Sequence, residues 1–156
     1  MVIRDIPLRM LDKYRSRLLL FLRKYGDQRL THKALRWLRD LPLGREHLGT
    51  AIAVAVHNKQ LVGIIAVGKY GVDEAIIAVK PTARNKGVAK QLVSFIVNRL
   101  GRMYARVAVD NTASLNLCFS MNMVAFDMFT GVTGKPTLWL GAGDWRREEI
   151  EGIINK

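Results

Sequence analysis

A short basic segment in the middle of the chain has the residue types needed to bind phosphate. Residues 80–90 follow an apolar stretch and precede a run with helical spacing. The first amides of a helix have no partner within it, and the helix dipole favours an anion there. Gly87 and Ala89 keep bulky side chains away, and three cations add charge: Arg84, Lys86 and Lys90. The segment is a candidate pyrophosphate site, and an ordinary βα turn with exposed cations is the alternative.

Two familiar phosphate loops do not describe this segment. The Walker pattern requires Gly-x-x-x-x-Gly-Lys-Ser/Thr and the dinucleotide pattern requires Gly-x-Gly-x-x-Gly, and the chain contains neither. Cys118 is its one cysteine, and its three histidines lack ligand spacing. One cysteine cannot form an internal disulfide or a thiolate zinc site by itself, so we predict no metal and a reducing compartment.

The elements that position this segment begin with two predicted helices within residues 1–49. A helix starts at Asp5, and apolar side chains then recur at steps of three and four until Gly26. Thr31 can cap a second helix through Leu41. The other face of the first helix is basic and is interpreted as a solvated surface; it carries Arg9, Lys13, Arg17, Arg23 and Lys24.

The period then changes to that of a sheet, which we predict over residues 50–140. Two strands, 50–57 and 60–67, form a hairpin about Asn58-Lys59. A third strand, 74–79, is almost continuously apolar. This pattern indicates burial on both faces and a central place in the sheet.

The second half of the chain begins with its clearest helical pattern, over residues 88–100. A strand over 104–109 follows, and a strand, helix and strand of this length form a right-handed crossover, so 104–109 should run parallel to 74–79. The remaining predicted elements are a short helix, two strands and an amphipathic tail, over 114–121, 126–130, 136–140 and from residue 144.

Composition and charge narrow the class of protein. The chain has 156 residues with 49% hydrophobic and 24% charged side chains, which suits one compact domain. Its apolar runs, such as 18–22, are far too short to span a bilayer, so we predict no membrane association and a cytoplasmic location. The net charge of +12 divides into +7 for residues 1–49, +6 for 50–110 and −1 for 111–156. Such a field attracts anions, whether a polyphosphate cofactor, an acidic partner or RNA.

The motifs in residues 84–118 resemble those of the GNAT superfamily of N-acetyltransferases. Arg84, Gly87 and Ala89 fit the pattern Arg/Gln-x-x-Gly-x-Gly/Ala at the start of a helix, a few residues beyond a strand. Downstream, Asn111 follows the next strand and opens a short helix, as in that family. The resemblance implies a single α/β (α+β) domain, with a helical part over 1–49 and a core over 50–140. Its mostly antiparallel mixed sheet would be splayed between the two parallel middle strands.

The resemblance also implies acetyl-CoA as co-substrate and a set of cofactor contacts. The backbone of Ile77, Ala78 and Val79 would pair with the pantetheine arm in the splayed gap. Asn111 and Ser114 would contact the cofactor or order the following helix, and a helix cap is the alternative for Asn111. The loop amides would bind the pyrophosphate and belong to Arg84, Asn85, Lys86, Gly87, Val88, Ala89 and Lys90.

Acetyl transfer needs an uncharged amine, so a general base is useful. Asp73 and Glu74 stand where the family often keeps its base, and solvated turn acids are the alternative. Arg106 occupies the other base position of the family and cannot act as a base at neutral pH. Cys118 stands where the family usually has a tyrosine that donates a proton to the departing thiolate. The alternative interpretation is that Cys118 is a small apolar residue buried in the core.

Two classes of function therefore remain open. The first is an N-acetyltransferase that acts on a primary amine, carried by a small molecule, a protein or an RNA, by direct attack in a ternary complex. The second is a protein of the same fold that binds acyl-CoA or RNA without catalysis. Arg106 and Cys118 suggest this class because they occupy positions where the family often has its base and its acid. The sequence leaves the acceptor open, and a homodimer is compatible with it.

Overall fold

The strands form two antiparallel sheets in the computed structural model, which describes residues 1–26, 30–43, 48–131 and 134–154. The first sheet has the order β1-β2-β3-β4, where β1 is Val2–Asp5, β2 Ala51–His57, β3 Gln60–Gly68 and β4 Glu74–Val79. The second has the order β5-β7-β6, where β5 is Arg102–Ala108, β6 Val124–Thr130 and β7 Pro136–Gly143. Within the described ranges, no strand ladder joins β4 to β5, so the predicted gap lies between the two sheets.

Five helices lie within the described ranges. They are α1 Leu11–Tyr25, α2 His32–Asp40, α3 Val88–Leu100, α4 Thr112–Ser120 and α5 Glu148–Ile154. Of these, α1, α2 and α3 cover the two faces of the first sheet. The apolar stripe of α3, with Leu92 and Ile96 fully buried, packs with residues of β2, β3 and β5 in one core. A second core lies on the opposite face of the first sheet, where α1 and α2 pack. This layering gives the predicted α/β fold.

Two local predictions are confirmed at the level of backbone geometry. The Thr31 side chain accepts a hydrogen bond from the Ala34 amide at 3.1 Å and so caps α2. Asn58 and Lys59 both have positive φ, at 49° and 63°, which is the twist that a two-residue hairpin between β2 and β3 requires. Both features depend on neighbouring residues alone.

Two predictions need correction, and a third, the turn between β6 and β7, is confirmed at its described ends. Residues 1–49 are not only helical, because Val2–Asp5 forms β1 against β2, and α1 starts at Leu11 after the 3-10 turn Leu8–Met10. β4 is the edge strand of its hydrogen-bonded sheet, and of its two faces only the one toward α1 and α2 is fully buried. The predicted turn between β6 and β7 is framed by Gly131, whose amide donates to Lys135 O at 2.8 Å. Residues 132 and 133 of this turn lie outside the described ranges.

Candidate functional site

The gap between the sheets is closed at the end where β4 begins. There the 3-10 turn Lys69–Gly71 packs on β5 so closely that a Cβ atom at Gly71 would overlap the Tyr104 carbonyl oxygen. Gly71 has φ of 96°, a conformation that glycine adopts readily. A second contact spans the gap here, since Arg106 Nη2 donates to Asp73 O at 3.3 Å. β4 and β5 are therefore held together at one end and left without a ladder beyond it.

The free edge of β4 offers backbone groups to an extended ligand. The Lys80 amide donates to Val62 O at 2.8 Å, so residue pairs of the β3–β4 ladder exchange bonds at every second position from there. By this alternation Ala78 points its backbone polar groups toward β3, whereas Ile77 and Val79 point theirs into the gap. Arg84 Nε donates to the Val79 carbonyl at 3.2 Å from that side. Of the three predicted backbone contacts, Ile77 and Val79 have the matching orientation.

The basic loop, residues 80–90, ends in a helix start that no side chain caps. Gln91 is the first residue of α3 whose amide finds an acceptor in the helix, Gly87 O at 3.0 Å. The three preceding amides belong to Val88, Ala89 and Lys90. Gly87 has φ of 78°, and a Cβ atom placed there would meet no protein atom within 4 Å. The loop thus presents amides that have no partner among the described residues to an open space in which an anion fits.

The side chains of the basic loop leave this space positively charged. Arg84, Asn85, Lys86 and Lys90 are exposed, and Asn85 turns the chain with φ of 62°. Val88 is buried under the loop and anchors the first turn of α3 in the core. Helix dipole, free amides and mobile cations therefore act in one place, which suits a pyrophosphate.

The two candidate bases have different surroundings. Asp73 is exposed, and its amide donates to Gly68 O at 3.1 Å. Glu74 is half-buried, and burial raises the pKa of its carboxyl group. The positive charges of Arg106 and Lys33 lower this pKa, but their effect is smaller than that of burial. A carboxylate with a raised pKa is a stronger base, so the surroundings favour Glu74 for proton abstraction.

Cys118 lies in the core between α3 and the second sheet and is 7% exposed. Burial raises the pKa of its thiol, so the group is a neutral, weak donor. This surrounding suits the packing alternative, and the proton-donor role stays a prediction. Tyr104 is fully buried. Its hydroxyl group donates a hydrogen bond to Glu149 Oε1 at 2.7 Å and accepts one from the Arg146 amide at 2.8 Å. Burial raises the pKa of Tyr104 to about 12.

Asn111 has the capping role that the sequence left open. Its side-chain oxygen accepts a hydrogen bond from the Ser114 amide at 3.3 Å at the start of α4. The Ser114 side chain is half-buried on this first turn. Asn111 therefore orders the helix that follows β5, and a cofactor contact by either residue stays a prediction.

A second concave surface lies at the entry of β4, at the end opposite the basic loop. We call it the entry cleft; it has a volume of about 890 Å³. Its walls come from α2, from the 3-10 turn Lys69–Gly71 with Asp73, and from Arg102 and Glu149. Sequence reasoning assigned no function to α2 or to Lys69 and Tyr70. The one local signal was the acid pair Asp73-Glu74, because the other walls come from distant parts of the chain.

Comparison with solved structures places this architecture in a known class. The fold matches a ribosomal-protein-alanine N-acetyltransferase from Brucella melitensis with a TM-score of 0.64 and 18% identity, over 92% of this chain and 99% of that one. It matches Arabidopsis thaliana NAA60 in complex with acetyl-CoA with a TM-score of 0.68 and 14% identity, over 92% and 98%. YncA, a putative acetyltransferase from Salmonella typhimurium with acetyl-CoA, gives 0.58 and 19%, over 94% and 95%. The fold is that of GNAT N-acetyltransferases.

The sequence supports the same class independently. Residues 49–119 match the family model of the acetyltransferase (GNAT) domain, which spans β2 to α4 and includes the basic loop. Comparison with curated protein sequences gives no significant match. The match over residues 49–119 and the shared fold confirm the predicted resemblance to GNAT acetyltransferases and the predicted enzyme class, an acyl-CoA N-acyltransferase. No helix within the described ranges has the length and apolarity needed to cross a membrane.

Proposed function

We propose that the protein transfers an acetyl group from acetyl-CoA to a primary amine by direct attack in a ternary complex. The observation that carries this proposal is the start of α3, where free amides and exposed cations face an open space at Gly87. This space fits a pyrophosphate, and the solved relatives with acetyl-CoA support the choice of cofactor. Bound acetyl-CoA supplies an activated thioester carbonyl.

Different residues along β4 and at the start of α3 bind different parts of acetyl-CoA in this proposal. The amides of Val88, Ala89 and Lys90 bind the pyrophosphate, with Arg84 and Lys86 nearby. Ile77 and Val79 pair through their backbone with the extended arm, which directs the thioester toward the start of β4.

Glu74 prepares the nucleophile at the other end of β4. Its carboxylate accepts a proton from the acceptor ammonium, directly or through water, so that the nitrogen lone pair can attack the thioester carbon. The C–N bond forms as the C–S bond breaks, and the departing thiolate takes up a proton. Because Cys118 and Tyr104 are buried and Tyr104 is hydrogen-bonded elsewhere, we assign this last proton to water or to the acceptor amine.

Three measurements test this proposal. Mass spectrometry of the protein under native conditions should detect co-purified CoA, and calorimetry should show binding of added CoA. A thiol-release assay with acetyl-CoA and a panel of primary amines should then show turnover. Absence of CoA binding would overturn the proposal at its first step.

Binding without catalysis is the second candidate, favoured by the place of Cys118 in the core. RNA is a candidate ligand because several cations on α1 are exposed and form no ion pairs within the described ranges. They include Lys13, Arg17 and Lys24. RNA binding that weakens steeply with salt and is lost on reversing Arg9, Arg17 and Lys24 would support it. Thiol release with any amine would remove the non-catalytic alternative.

A further inference from the structure

The entry cleft holds three cations without an ion pair to a described carboxylate, although the charges of Lys33 and Arg36 act at longer range on Glu74 and Asp40. Lys33, Arg36 and Lys69 line it, and none has an acidic oxygen within ion-pair distance among the residues that the structure describes. Two carboxylates of the cleft are already paired: Asp40 with Arg39 at 2.9 Å and Glu149 with Arg102 at 2.7 Å. These three cations and Asp73 are therefore the charges available to a ligand.

These cations lie too far from the basic loop to serve the cofactor phosphates. The six residues of β4 separate the two sites, and at about 3.3 Å per residue they span roughly 20 Å. The basic loop has its own amides and cations, whereas the entry cleft lies next to Asp73 and Glu74. The protein thus has a second region that attracts anions, on the side where the acceptor amine must approach.

The aromatic walls of the entry cleft are fixed by close packing. The Trp37 ring lies against Gly68 and the Tyr70 ring against Gly49, where an added Cβ atom would lie 2.5 Å from either ring. The Arg102 guanidinium carbon stands 3.7 Å from the centroid of the Tyr70 ring, on the same wall. Rigid aromatic faces beside a few charged groups are typical of a small-molecule site, and 890 Å³ is within the usual size.

We infer that the acceptor is a small primary amine that also carries an anionic group, a carboxylate or a phosphate. This inference rests on the proposed function. The amine faces Asp73 and Glu74, and the anionic group faces Lys33, Arg36 and Lys69. The entry cleft therefore selects the acceptor by the charge of a part that does not react.

Matched acceptors test the inference. Aminopropyl phosphate and aminopropanol differ in the anionic group, as do β-alanine and its amide. In the native protein we expect kcat/KM to be at least tenfold higher for the anionic member of each pair, since each of several partly exposed contacts contributes a factor of about two to five. Equal values for both members, or a preference for the neutral one, would overturn the inference. A peptide amine that outperforms both anionic acceptors would do so as well.

Charge reversal locates the effect. In Lys33→Glu and Lys69→Glu we expect the ratio of kcat/KM for aminopropyl phosphate to that for aminopropanol to fall about tenfold, with little change in the KM of acetyl-CoA. Arg17→Glu on the exposed face of α1 changes the net charge equally and should leave both acceptors unaffected. Lys33→Arg should retain the preference. Equal losses in the cleft variants and in Arg17→Glu would overturn the inference.

A binding measurement separates this inference from the proposed function. Calorimetry with the CoA-loaded protein reports the Kd of aminopropyl phosphate without turnover, in Lys33→Glu against Arg17→Glu. If the anion binds and only Lys33→Glu weakens it, the cleft assignment stands even if no amine is acetylated. If neutral amines are acetylated and aminopropyl phosphate does not bind, the proposed function stands and the inference is wrong.

Discussion

The two ends of β4 carry the two proposed ligand sites, which are built by different means. At the exit, the basic loop is one continuous segment that uses backbone amides, a helix dipole and Gly87. At the entry, the cleft is assembled from α2, a 3-10 turn, β5 and α5, which lie far apart in the chain. The exit therefore depends on local backbone geometry, and the entry depends on how separate elements pack. Variants at the two ends should accordingly affect different steps.

The largest effect is expected at the entry, for Glu74→Gln. Loss of a general base typically lowers the rate by a factor of about 10² to 10⁴, so kcat should fall in that range while the KM for acetyl-CoA stays unchanged. Asp73→Asn, one residue away and exposed, is the matched control and should lose much less. The reverse order of the two losses would make Asp73 the base.

The pH profile of the same pair sharpens this assignment. Because burial raises the pKa of Glu74, its carboxylate takes up a proton at a higher pH than an ordinary glutamate does. The catalytic base is the ionised form, so native activity should decline on acidification from above the usual range of glutamate. Glu74→Gln should lack this decline.

At the exit, Gly87→Glu should weaken CoA binding roughly a hundredfold, because it places a like charge beside the pyrophosphate. The substitution finds free space among the described residues but strains the left-handed backbone, so the free energy of unfolding should fall by only about 1 kcal/mol and the protein should still fold. Gly101→Glu is the matched control, since Gly101 has a similar φ of 84° and equal free space at the other end of α3. Equal CoA binding by both variants would contradict the assignment of the basic loop.

The closed end of the gap is tested by Gly71→Ala. The new methyl group would overlap the Tyr104 carbonyl oxygen and strain the left-handed backbone, so the free energy of unfolding should fall by about 2 kcal/mol. Gly134 has a similar φ of 80° but free space around it, so Gly134→Ala should lower the free energy of unfolding by only about 1 kcal/mol. Urea denaturation measures both. Equal losses would mean that the contact between the turn and β5 contributes nothing.

The smallest effect is expected for Glu149→Gln in the wall of the entry cleft. Burial alone would raise the pKa of Glu149, but hydrogen bonds from Tyr104 and Arg102 outweigh it and hold the pKa below its ordinary value. The carboxylate therefore stabilises the fold above its unfolded pKa of about 4.3, and this contribution is lost as the pH falls through the lower folded pKa. We expect a loss of about 1 kcal/mol at pH 7 that shrinks on acidification in thermal melts. A loss independent of pH would contradict this account.

The sequence predicted most elements because their signals are local. Thr31 and Asn111 begin helices with side-chain caps, and Asn58 and Lys59 form the expected hairpin. β1 was missed, since its four residues have no pattern of their own and depend on pairing with β2. The place of β4 was predicted as central because apolarity reports burial and not hydrogen bonding, and β4 packs against both cores at the edge of its sheet.

The sequence by itself determined the basic loop, because a strand, a turn with glycine and a helix start are set by neighbouring residues. The tertiary structure alone decided which acid is desolvated, that Cys118 and Tyr104 are buried, and which charges meet in the entry cleft. Burial and charge pairing arise between residues distant in the chain. The proposed phosphate site can therefore be predicted from one segment, whereas the proposed acceptor site forms only after α2, β5 and α5 have packed around the start of β4.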